Sequence, residues 1–195
     1  ANLDAIQPAF ETVDIVINMA THMAAEGGSA STDAEDVAGY ISTNVVGAYN
    51  VYEAAHRAGV KRVIFASAGA SVFNYVTQEP YLSMAEARWE DVSGVPGDVA
   101  RLTHLAPYRP NGVYGASKAW GEVLGRYYSD VHGMSVLCVR VGHVPHPPET
   151  EYDLPAYEAS IYCSYRDIVQ MFERCVDAPD DLRFDIFFAC SANRG

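Results

Sequence analysis

Lysine is scarce in this chain: Lys61 and Lys118 are the only two among 195 residues. With 13 basic residues set against 25 acidic ones, the formal net charge is −12. No cluster of positive charge is available to neutralise a phosphate backbone, so nucleic acid is excluded as an expected partner. Long apolar runs are lacking too. No stretch approaches the roughly 20 residues that cross a bilayer, and the first residues do not follow the basic, apolar and small-residue order of a secretion signal. A soluble, cytoplasmic protein with no membrane partner is the expectation. Cysteine is sparse, and Cys138, Cys163, Cys175 and Cys190 form no C-x-x-C pair. Buried reduced thiols are therefore expected instead of disulfides or a metal site.

What the chain does have is apolar content, 49% of its residues, enough for one domain over 1–195 with a substantial core. Four short, β-branched apolar runs read as strands buried on both faces: "VDIVINM" (13–19), "KRVIFAS" (61–67), "MSVLCVRV" (134–141) and "RFDIFFA" (183–189). Helical periods lie between them. Residues 34–58 place Val37, Ile41, Val45, Ala48, Val51, Tyr52 and Ala55 near a 3.6-residue repeat and stop at Gly59, with His56 and Arg57 in the last turn. Residues 115–131 and 165–177 repeat the pattern. Alternation of this kind predicts an α/β fold, a parallel sheet covered by helices on both faces.

Two stretches break the alternation. Residues 73–110 form a long connection with Pro80, Pro96, Pro107 and Pro110 and one short helix expected at 83–91; residues 142–157 carry four prolines. Both follow strands, so both should overhang the crevice at the strands' C-terminal ends, where such sheets bind ligands. "HVPHPPE" offers His143, His146 and Glu149 at three-residue spacing. Its prolines forbid the helix that would bring them together, which predicts a stiff substrate loop and no metal site.

In "NGVYGASKAWGE" (111–122), Tyr114 and Lys118 stand four positions apart, as on adjacent turns of a helix, with only the small Gly115, Ala116 and Ser117 between them. A flat ligand could approach such a backbone closely. A solvated pair on a helix surface has the same spacing.

Three ordered segments settle the comparison. "VDIVINMA", "NVVGAYNVYEAAHRAGVKRVIFASA" and "YGASK" together resemble the extended short-chain dehydrogenases/reductases. "PYRPNGVYGASKAWGE", "VRVGHVPHPPE" and "SYRDIVQMFERCVDAP" followed by "FACSAN" look most similar to the uronate dehydrogenases within that family. The resemblance implies a Rossmann-like sheet and an NAD-dependent oxidoreductase acting on a sugar or sugar acid, with NADP not excluded. It makes Tyr114 the catalytic base and Lys118 its partner. Physically, an ammonium one turn away and a positive nicotinamide ring should each favour the phenolate. It also implies cofactor contacts at Ala20, Thr21, Asn44, Ala66, Tyr114, Lys118 and Val141, a simple helix-surface amide being the alternative for Asn44. A nucleotide-sugar epimerase or dehydratase, or a non-catalytic dinucleotide sensor, remains an alternative.

The pattern also breaks. The family's hydrogen-bonding Ser or Thr falls on Ala68, which cannot donate; Ser67 is the expected replacement and Ser71 the alternative. Substrate positions fall on Gly69, His143 and Tyr157, the last where an arginine would grip a carboxylate, and Arg88, Arg101 and Arg109 could restore that anion site. No glycine-rich turn occurs before "VDIVINM". The resemblance therefore implies that the first strands precede Ala1 and that an apolar sheet edge is exposed. Tyr49, Tyr52, Trp120, Tyr127 and Tyr128 lie on the helices at 34–58 and 115–131, through which the family pairs. A homodimer is expected, and packing against the sheet would explain the same residues.

Overall fold

The computed structural model describes residues 2–23, 34–92, 102–145, 154 and 156–193. Strands β1 (Ile15–Asn18), β2 (Arg62–Ala68), β3 (Ser135–Val141) and β4 (Phe184–Ala189) pair in parallel, in chain order. Helices α1 (Leu3–Ile6), α2 (Ala34–Gly39), α3 (Gly47–Ala58), α4 (Tyr81–Ala85), α5 (Val113–His132), α6 (Ala156–Ser160) and α7 (Tyr165–Val176) surround the sheet.

The two-residue alternation of a strand sorts the core. Val63 and Phe65 of β2 and Val136 and Cys138 of β3 pack with Ala48, Tyr52 and Tyr128 from α3 and α5. Ile64, Leu137 and Val139 point the other way, onto Ile168, Phe172 and Cys175 of α7. Both faces are thus covered, and each fully buried aliphatic side chain contributes about 1.5–3 kcal/mol. Helix α5 lies close because Gly121 has no side chain: a Cβ there would stand 2.2 Å from Phe65 Cζ. Arg62, 3% exposed, fixes α7 at its end. Its guanidinium donates to the carbonyls of Cys175, Val176, Ala178 and Pro179 at 2.8–3.1 Å, satisfying groups that a helix C-terminus leaves open.

Several expectations need correction. The helix over 34–58 is interrupted by a π-helical stretch, Tyr40–Val46, before ending at Gly59 with φ 72°. The short helix expected at 83–91 is instead α4 and a 3-10 turn, Trp89–Asp91, separated by Ala87 at φ 56°, where helical geometry cannot continue. Cys138, Cys163 and Cys175 are buried, but Cys190 is exposed because β4 ends at Ala189. All four thiols are free. Among the described residues strand β1 pairs on one side only; Ile17 is 44% exposed and Met19, just past it, 63%. Among the described residues, no helix is long and apolar enough to cross a membrane.

Candidate active site

The strands all end on one side, and there the segment after β2 turns through Gly69–Ser71 and meets the first turn of α5. The approach is so tight that a Cβ on Gly115 would lie 2.3 Å from the Ala70 carbonyl oxygen. Glycine at this position therefore lets Tyr114 and Lys118 sit directly over the end of β2. Lys118 is 3% exposed. Its Nζ donates to the Ala66 carbonyl at 2.8 Å and lies 5.6 Å from the centre of the Tyr114 ring. No carboxylate pairs with it among the described residues, and burial pushes its pKa down to about 8.

The chain's own groups do not favour the Tyr114 phenolate. Its pKa is raised above the usual 10, chiefly by burial; a hydrogen bond with Thr21 draws it down and the nearby Tyr40 raises it. Desolvation of the phenolate thus outweighs the help the chain itself provides, and the phenol is protonated at neutral pH.

Asn44 is not a surface amide. It is 4% exposed within the π-helical stretch. Its Oδ1 accepts from the His22 N–H at 2.6 Å and from Thr21 Oγ1 at 3.3 Å; its Nδ2 donates to the His22 carbonyl at 3.1 Å and to Ser117 Oγ at 3.0 Å. Ser117 Oγ in turn donates to the Tyr114 carbonyl at 2.7 Å. One amide therefore joins the loop after β1 to the helix carrying Tyr114. Ala20, anchored through its N–H to Asn18 Oδ1 at 3.1 Å, and Thr21 lie on that loop. Val141 closes β3 opposite Ala68.

Ser67 does not reach the crevice as a free donor. Its hydroxyl donates to Glu122 Oε1, inside the α5-facing layer. Strand parity could have revealed this, since Ser67 shares a face with Val63 and Phe65. Glu122 and Arg140, both missed in the sequence, form a bidentate ion pair there. Ser71 is fully buried and its hydroxyl has no hydrogen-bond partner among the described residues. Ala68, 8% exposed, ends β2.

The remaining candidates divide into groups. Gly69 is buried in the turn, where a Cβ would stand 2.9 Å from the Phe73 ring. His143 and Tyr157 come together around Glu158: the Tyr157 hydroxyl donates to it at 2.7 Å, and His143 Nδ1 is 4.0 Å away. Arg88 is taken up by Glu79, Glu86 and Asp91. Arg101, His146 and Glu149 lie outside the described residues, and among those described no cluster of His, Cys, Asp and Glu could hold a metal.

A parallel, helix-flanked sheet with a buried lysine and a tyrosine one helical turn apart over the strand ends defines a Rossmann-like framework of the short-chain dehydrogenase/reductase type. Residues 1–153 match the model of the "NAD dependent epimerase/dehydratase family", and the chain belongs to that family. It is 33% identical over 181 residues to the L-arabinose 1-dehydrogenase (NAD(P)(+)) of Haloferax volcanii, covering 90% of this chain and 65% of that one. Against the uronate dehydrogenase of Pseudomonas putida the identity is 30% over 192 residues, covering 94% and 60%. A variant uronate dehydrogenase from Agrobacterium tumefaciens, solved with NAD, superimposes with a TM-score of 0.70 at 25% identity, covering 98% of this chain and 58% of that one. The chain thus spans about two thirds or less of the length of these relatives.

Proposed function

We propose that the protein is an NAD-dependent dehydrogenase that oxidises a hydroxyl of a sugar or sugar acid, as the names of its relatives suggest, with NADP a possible substitute. The observation carrying this reading is the Lys118 ammonium, buried one helical turn from Tyr114 and bonded, among the described residues, only to the Ala66 carbonyl. An ammonium has three donors, so two remain for the hydroxyls of a nicotinamide ribose. By the family resemblance, Ala20, Thr21, Ala66 and Val141 would contact the cofactor there. These residues suit the nicotinamide-riboside end of the cofactor.

When bound, the oxidised nicotinamide supplies the hydride acceptor and a positive charge beside Tyr114. The chain performs the proton work: the phenolic oxygen of Tyr114 takes the proton of the reacting sugar hydroxyl. Asn44 and Ser117 hold the helix turn that presents it. Activity should therefore rise as the pH moves above neutral, because the active form is the phenolate and burial keeps its pKa high. In the full chain, Tyr114→Phe should lower NAD reduction by about 10²- to 10⁴-fold with the fold unchanged by circular dichroism. Ala68 favours a second reading, a dinucleotide sensor without catalysis. NAD binding with no reduction by any aldose or uronate would select it over the dehydrogenase.

We also infer a homodimer through α3 and α5. Tyr52 and Tyr128 are buried and stacked, their ring centres 5.4 Å apart. Tyr49, Trp120, Val123 and Tyr127 remain 42–52% exposed on the same two helices. Sedimentation of the full chain should give twice the monomer mass, and Val123→Glu should reduce it to one.

A further inference from the structure

Arginine in this chain is usually matched to a carboxylate or sealed in by carbonyls. Arg88 has Glu79, Glu86 and Asp91, Arg140 has Glu122, and Arg62 has the end of α7. Arg109 differs. Its Nη1 donates to the side-chain oxygen of Gln78, and its guanidinium lies 5.1 Å over the Tyr75 ring. Both partners are neutral, and no described carboxylate pairs with it. Acidic residues outnumber basic ones by 25 to 13, so an arginine oriented only by an amide and a ring keeps a charge that the sequence could readily have neutralised.

The position of Arg109 gives that charge meaning. Its N–H donates to the Ser71 carbonyl at 3.0 Å, and its carbonyl accepts from the Asn74 N–H at 2.8 Å. The next residue, Pro110, stands 3.2 Å from where a Gly115 Cβ would lie. The main chain of Arg109 is thus fixed between the turn after β2 and the helix turn holding Tyr114. Gln78 and Tyr75 orient the guanidinium without cancelling it, leaving most of its five donors for a planar or tetrahedral anion. Glu158 makes no ion pair with Arg109 and already accepts the Tyr157 hydroxyl.

Resting on the dehydrogenase reading, we propose that Arg109 is the anion anchor of the site, binding the carboxylate or phosphate of an acidic sugar. It takes the role left open by Tyr157, and it does so from a different segment of the chain.

The test is calorimetric titration of the full chain, with NADH present, against D-glucuronate, D-glucose 6-phosphate and L-arabinose, alongside assays of NAD reduction. At least one acidic sugar should bind about tenfold or more tightly than arabinose. Arg109→Gln should lower that preference by ~10- to 100-fold, and Arg109→Lys by less, because a point charge replaces a fork. Preference for glucuronate alone identifies a carboxylate, and preference for the phosphate alone identifies a phosphoryl group. Equal binding of all three sugars, or a preference unchanged in folded Arg109→Gln and Arg109→Lys, overturns the proposal. Selective binding of an acid without NAD reduction by any sugar overturns the dehydrogenase reading and leaves the anchor standing.

Discussion

Glu122 and Arg140 meet in the interior as a two-pronged ion pair. Arg140 Nη2 is 2.8 Å from Glu122 Oε2 and Nε is 3.0 Å from Oε1; neither side chain is more than 1% exposed. The arginine lies 5.4 Å from the Tyr108 ring and 5.2 Å from the Phe188 ring, and Ser67 donates to the same carboxylate. The pair therefore links β2, β3, β4 and α5 just below the crevice.

Breaking this pair from one side should be costly. Arg140→Met leaves Glu122 as a buried charge held only by neutral hydroxyls, those of Ser67 and Tyr108, and a loss of about 3–5 kcal/mol is expected in urea denaturation. The double variant Glu122→Met/Arg140→Met should recover much of that loss. Equal stability of the single variant and the parent would show that the two charges are not buried together.

Ala68→Ser should restore the donor missing from the end of β2. A single oriented donor is worth about 10²–10³ in rate at sites that have evolved around it; in this untuned setting an increase in kcat of about tenfold is expected. Steady-state kinetics on the preferred sugar would measure it. An unchanged kcat would mean that the reacting oxygen lies elsewhere.

Lys118→Met should separate stability from activity. The folded-state pKa of Lys118 is depressed to about 8 from 10.5, so unfolding takes up a proton between those values. The lysine therefore makes the fold more stable as the pH rises through that window, and below pH 8 it costs roughly 3 kcal/mol. Methionine removes this cost but also the bond to Ala66. The melting temperature at pH 7 should stay level or rise, its increase between pH 8 and 10.5 should flatten, and NAD reduction should fall by about 10²-fold or more. A large loss of stability at pH 7 would contradict the burial of an uncompensated ammonium.

The sheet could be read from the sequence because its strands are covered on both faces, which leaves uninterrupted apolar runs such as "RVIFAS". Tyr114 and Lys118 could be read because a helix fixes which residues share a face. Other features depend on contacts remote in the chain. Whether Tyr114 is ionised depends on desolvation, which no spacing records. The bond between Ser67 and Glu122 joins residues 55 apart, though the parity of β2 was a usable clue. The π-helical turn that brings Asn44 inward left no mark on a periodicity of 3.6. Arg109 resembled its neighbours until its lack of a carboxylate could be seen.

The four hydrogen bonds of Asn44 have a mechanical consequence. Because one carboxamide clasps the backbone of His22 on one side and Ser117 on the other, the two walls of the cleft cannot part without tearing its ties. The loop after β1 and the helix turn of Tyr114 thus form a cast mould, not a jaw, and any ligand between them meets a shape already set.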